Sequence, residues 1–378
     1  MVLLMLLTMA LLCPCNGRAE NTLTDGMQEA LDKLELAQLG DALAALGTPF
    51  QQANLRETLR KIAQGEWTVS LDGLLRLLRQ HFLAALTGSL WRTARLLVPA
   101  IALGVCRTMG EKKTSTRVAG YVCFLLVAVF LVQDVAEHAQ TAEASVQHMS
   151  GGMQRLFPLL LTLLAAVGGT TGAALLQPAV VAAAGAMTST ISRVTLPLAS
   201  AAALVILVDH LGEENRFSRL SSLLYTAATW VLGICFTVFL GVMFTQGMGA
   251  AAADGIAIRT AKYALDNFVP IVGGLFADTV DTLVGGSLLI QNALGVTGLL
   301  MVLMLCMTPL CQTLAAVVLY KGVAALLQPI AEGRILSCME DFSRVLLLLF
   351  IVQLCAAAMF LLLIAQILAM THFTVLLR

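Results

Sequence analysis

Long, uninterrupted apolar stretches restrict the fold of this chain more than any other feature. Leu156–Leu176, Ser221–Gln246 and Val345–Met370 each reach the roughly 20 residues an α-helix needs to cross a hydrocarbon core of about 30 Å. Lipid offers no hydrogen bonds, so the backbone of such a stretch must satisfy itself. The 378 residues are 58% hydrophobic and 12% charged, against about 25% charged in a soluble domain. The expected fold is all-α, a polytopic α-helical membrane protein.

Charge and cysteine usage narrow the function classes. The formal net charge is zero with no block of like charge, so the clustered basic surface that nucleic acid requires is missing. Nine cysteines lie in the N-terminal leader or in and beside the later apolar stretches, with none between Ala19 and Trp91. No CxxC or Cys/His spacing points to a metal. No GxxxxGK[ST], HExxH or GxSxG occurs, which leaves the chain without a P-loop motor or a recognisable hydrolase motif. No catalytic, cofactor-binding or metal residue is assigned, and no enzyme activity is expected.

The chain divides into five parts. Residues 1–19 read as a signal peptide, with Gly17 and Ala19 suiting cleavage after Ala19. The basic n-region is absent, which keeps a short membrane anchor as the alternative. Residues 20–87 form an extracytoplasmic amphipathic helical segment, with helices opening near Thr24, at Thr48-Pro49 and at Ser70. The third lies on the membrane surface or belongs to a small helical bundle. Residues 88–153 hold the first two transmembrane helices and their loops. A span near Ser89–Cys106 leads into a basic loop with Lys112, Lys113 and Arg117, as a cytoplasmic loop should be. A second span, about Val118–Val132, leads into an outer loop with Asp134, Glu137 and Glu143.

Residues 154–248 and 249–378 read as two membrane units of one internal duplication, the second opening with an amphipathic linker helix. "GAALLQPAV" at Gly172–Val180 is echoed by "GSLLIQNAL" at Gly286–Leu294, and Phe217-Ser218-Arg219 by Phe342-Ser343-Arg344. Pro178–Ser192 and Val194–Val208, about 15 residues each, are too short to span comfortably. They read as re-entrant or broken helices, against the alternative of closely packed ordinary ones. If this pair and Asn292–Leu327 add no net crossing while Phe268–Ile290 crosses, the units are parallel and Arg378 lies outside. Arg219 and Arg344 would then each hold a cytoplasmic helix end at the headgroups, alongside Lys112, Lys113 and Arg117 as topology anchors.

The polar exceptions supply the candidate contact residues. In "ADGIAIRTAKYALDNFVPIVGG", Arg259, Lys262 and Asp266 share one face of a helix beginning at Asp254, with Ile258, Ala261, Leu265 and Phe268 on another. Such a helix either lies in the interface with its charges solvated or offers a passage lining or partner face. Asp278 and Asp281 follow at i, i+3; inside a membrane they would need water, cations or a partner. Gln177, Gln291 and Asn292 stand at matching places in the two units.

The run "ADGIAIRTAKYALDNFVPIVGGLFADTVDTL", the following "GGSLLIQNALG" and the "LFPLLLTLLAAVGG…LLQP" block resemble the stage III sporulation protein AE family over nearly the whole chain. The resemblance implies an endospore-forming bacterium and a place in the mother-cell membrane around the forespore. It implies membership of a multi-protein, secretion-like channel joining the two cells and required for late forespore gene expression. Implied partners are the other proteins of that complex, including a separate cytoplasmic secretion-type ATPase, and the lipid bilayer. The rival expectations are an ion-coupled secondary transporter using Asp278 or Asp281, and a passive membrane platform recruiting soluble partners.

Overall fold

The computed structural model describes residues 71–108, 114–166, 170–212, 216–268, 303, 305–329 and 333–376. Among them it is helical, with no strand. The helices are α1 (Leu71–Thr108), α2 (Thr114–Ala166), α3 (Thr170–Thr190), α4 (Leu196–Leu211), α5 (Ser218–Phe268), α6 (Leu305–Leu327) and α7 (Gly333–Leu376). Five stretches are long and apolar enough to cross a membrane: Tyr121–Gln154, Pro178–Leu211, Ser218–Gly247, Leu305–Leu327 and Ile335–Ile367.

Helix α7 is the centre of the bundle. It packs against α2, α4 and α5, and 67% of its most apolar window is buried, against 22% for α5. Phe342, Leu346, Leu349, Val352, Ala357 and Phe360 are all enclosed, as expected of a helix that is apolar on every side. Helix α5 is two-faced. Ala228, Leu232, Phe239 and Met243 turn inward, while Leu223, Trp230, Ile234, Val238 and Phe244 lie open. An apolar face of that size would be untenable in water but is an ordinary lipid-facing surface in a bilayer. Where α5 meets α7, Gln366 Nε2 donates to the Met243 carbonyl at 2.7 Å. Gly247 permits the approach, since a Cβ there would come within 2.5 Å of the same nitrogen.

Several expected boundaries are helical in the structure. The span predicted near Ser89–Cys106 is continuous with the helix opening at Ser70, both forming α1, and α1 is not among the five stretches above. The acidic stretch read as an outer loop after Val132 is the middle of α2. It therefore gives no cue to orientation. Its residues Ala142, Ser145, Val146 and Met149 are buried at helical spacing, a packed face that an average of hydropathy conceals. The predicted span Leu156–Leu176 is divided between the end of α2 and the start of α3, on either side of Gly168-Gly169. The linker helix expected from Asp254 is the continuation of α5.

The short pair in the first unit is also revised. Pro178–Leu211 is one candidate span of 34 residues, not a re-entrant hairpin. A single π-helical turn at Ile191–Thr195 joins α3 to α4, its exit marked by the Leu196 N–H bonding back to the Ile191 carbonyl. Pro197 follows at once and brings no N–H of its own, and a local change to the wider π pattern absorbs the mismatch without ending the helix. The turn disturbs side-chain bonding too. Thr188, Thr190 and Ser200 bond back to carbonyls four residues earlier. Ser192 and Thr195 hydroxyls, like that of Ser145, are enclosed and find no partner among the described residues. The expectation of parallel units with Arg378 outside rested on this pair adding no crossing, and that premise fails.

Candidate functional site

Polar side chains gather in two clusters, one joining α2 to α6 and one joining α4 to α7. Asp134 on α2 accepts a hydrogen bond from the Tyr320 hydroxyl on α6, O···O 2.7 Å. His138, one turn on from Asp134, places Nε2 3.9 Å from the same carboxylate oxygen, with both side chains largely buried. Tyr320 is 1% exposed. Arg92 of α1 pairs with Glu137 at 2.6 Å, with both side chains more than half exposed on the bundle surface. The buried members differ. An ionisable group enclosed in a membrane helix needs a partner there, and Tyr320 is the group that supplies it.

A second cluster joins α4 to α7. His210 Nδ1 is 2.8 Å from the Ile206 carbonyl; a carbonyl only accepts, so Nδ1 carries the proton. The other nitrogen then faces Ser337 Oγ at 3.1 Å and Asp341 at 3.8 Å. Asp341 also pairs with Arg344 at 3.2 Å. In a serine hydrolase the carboxylate would orient the histidine through the nitrogen opposite the serine. Here Ser337 and Asp341 share Nε2, so the geometry is that of a helix-to-helix tie. Beside it, the buried Asp209 carboxylate accepts the Phe217 backbone N–H at 2.6 Å. The Phe217 carbonyl in turn accepts from the N–H groups of Leu220 and Ser221, so Asp209 braces the residue that starts α5. Among the described residues no group of three or more His, Cys, Asp or Glu side chains could hold a metal ion.

The residues singled out in the sequence fall elsewhere. Asp278, Asp281, Gln291, Asn292, Lys112 and Lys113 lie outside the described residues. Asp254, Arg259, Lys262 and Asp266 lie on α5, Arg117 on α2 and Gln177 on α3, with their side chains outside the description. Arg219 stands exposed in the first turn of α5. Arg344 departs from that expectation, lying well inside α7 with Phe342 and Ser343 buried beside it. Asp134, His138, Asp209, His210, Tyr320 and Asp341 were missed. The signal available was a set of ionisable residues inside or flanking apolar runs, with Asp134 and His138 at i, i+4.

The two arginines should consequently respond differently to charge reversal. Arg219→Glu places an acid in the exposed first turn of α5, the expected position of a basic topology anchor, and membrane levels should fall several-fold on immunoblots. Arg344→Glu mainly removes a partly exposed partner of Asp341 and should leave at least half the protein in the membrane. Equal losses would contradict the distinction.

Comparison with known proteins covers nearly all of this helical region. The family model for stage III sporulation protein AE matches residues 53–371. The stage III sporulation protein AE of Bacillus subtilis (strain 168) is 28% identical over 332 residues, covering 87% of this chain and 82% of that one. No solved structure matches.

Proposed function

The chain belongs to the stage III sporulation protein AE family, and from that premise we propose that it is a polytopic core component of the channel between mother cell and forespore. Its place is the mother-cell membrane around the forespore, with residues 20–87 on the extracytoplasmic side. Its role is to support endospore formation and late forespore gene expression within a secretion-like complex. The observation that carries this reading is the family match from residue 53 to residue 371, which takes in α1 to α6 and nearly all of α7. Five membrane-length helical stretches are consistent with a core rather than a peripheral subunit. A chain without a P-loop needs its energy from another subunit, which accords with a separate cytoplasmic ATPase as partner.

The test is made in the endospore former that encodes this chain. Deletion should abolish late forespore reporter expression, and a tagged copy should co-purify from sporulating cells with other membrane proteins of the complex and with the ATPase. Normal spore yield after deletion would sink the proposal. Solute uptake by vesicles containing this protein alone would favour an ion-coupled transporter instead. Capture of soluble proteins only, with unchanged forespore expression, would favour the platform.

A further inference from the structure

We propose that α2 carries a seam for self-association, in which four glutamines meet the same residues of a second copy of this chain. Gln133, Gln140, Gln147 and Gln154 stand at strict seven-residue intervals, and all four are exposed on α2. Residues seven apart drift only about 20° around an α-helix, so the amides form one stripe. The small residues Ala136, Ala144 and Gly151 flank it. A Cβ at Gly151 would meet nothing within 4 Å, so packing inside this chain does not account for the glycine.

The stripe lies within the candidate span Tyr121–Gln154. Earlier on α2 the outward side chains are the apolar Val122, Leu126 and Val129, a lipid-facing surface that gives way to amides. Two contacts carry the depth across the bundle. Thr188 on α3 donates to Ser150 on α2 at 3.2 Å. Thr190 lies against the Cys235 thiol of α5, near the middle of the apolar stretch Ser218–Gly247. Gln147 and Gln154, one turn either side of Ser150, are therefore level with the exposed Ile234 and Val238 of α5. Lipid there offers an amide no hydrogen bond. Gln147 donates to Glu143 at 3.2 Å within its own helix, which leaves its second N–H and its carbonyl oxygen for a partner.

A second copy is the occupant that this stripe fits. Copies inserted in one orientation are related by an axis along the membrane normal. Their α2 helices then run parallel, and each glutamine meets its own counterpart at the same depth. An amide both donates and accepts, so glutamine is complementary to itself. A seven-residue repeat with small neighbours suits close, left-handed helix pairing. The acidic side chains beside the seam are already engaged, Glu137 by Arg92 at 2.6 Å and Glu143 by Gln147. A water-filled passage would wet the same amides but has no need of the seven-residue spacing. The inference does not depend on the channel proposal.

The experiment cross-links the full-length chain in membranes of cells that express it. Gln140→Cys and Gln147→Cys are each oxidised with copper phenanthroline, and wild type gives the background from native cysteines. Both should yield a covalent dimer several-fold above that background, because equivalent positions of a parallel seam fall within disulfide reach. Trp230→Cys, exposed on the apolar face of α5, should stay at background. Adding Gln133→Leu and Gln140→Leu to Gln147→Cys removes amide pairing but leaves a lipid-compatible face. That protein should keep its membrane level and lose most of its dimer. Background cross-linking at both glutamine positions overturns the proposal, as does an equal dimer yield from Trp230→Cys. Reaction of both cysteines with a membrane-impermeant thiol reagent, without dimer, would make the stripe a water lining and also overturn it. A dimer undiminished by the leucines would remove the amides from the seam and count against it equally.

Discussion

Phe342→Ala should destabilise the bundle by about 3–5 kcal/mol, the range for truncating a buried aromatic side chain. Phe342 is among the largest fully enclosed side chains of the protein and lies on α7, between Met339 and Leu346 on the same enclosed face. Its removal opens a cavity in the helix that packs against α2, α4 and α5, so relaxation of one neighbour would disturb contacts with the others. The control comes from the sequence itself. Phe217 occupies the same place in the other Phe-Ser-Arg tripeptide but is 47% exposed. Phe217→Ala should change stability by no more than about 0.5 kcal/mol. Unfolding in mixed micelles, followed by helix signal against denaturant, measures both. Equal costs for the two would mean that the enclosed position of Phe342 is wrong.

Asp209→Ala should be the next most damaging, at about 1–3 kcal/mol. The Asp209 side chain is buried on α4 and accepts the Phe217 N–H at 2.6 Å across the α4–α5 connection. Alanine leaves that N–H without its charged acceptor and releases the start of α5. Asp209→Asn keeps a carbonyl oxygen at the same place and should cost less. Amide exchange at Phe217, Leu220 and Ser221 is the local readout. It should accelerate in the alanine variant well before exchange in α7 changes. Uniform acceleration through the protein would place Asp209 in the global core instead.

The tripeptide repeat shows the limit of reading similarity along a sequence. Phe217-Ser218-Arg219 and Phe342-Ser343-Arg344 look equivalent, and both precede long apolar runs. Arg219 lies in the first turn of α5, whereas Arg344 lies well inside α7 and is tied to Asp341. What differs is what precedes them. The residues Ile335, Cys338 and Met339 continue the buried face of α7 backwards, so packing extends the helix beyond where hydropathy begins. The π turn at Ile191–Thr195 is a related case. Its Pro197 and small residues read as a break in the sequence, yet a wider turn keeps the helix running.

The sequence by itself determined the helical membrane class, because apolar runs near Ser221–Gln246 and Val345–Met370 leave lipid-compatible helices as the outcome. It also carried the family, through motifs spread over nearly its whole length. Only the tertiary structure decided which polar groups meet. Tyr320 and Asp134 are 186 residues apart, and His210 and Ser337 are 127 apart. Periodicity places a side chain on a helix face, but the azimuth and height of the facing helix come from packing many side chains at once. That is why Asp134 looked like part of a solvated loop in one dimension and is held against Tyr320 inside the bundle in three.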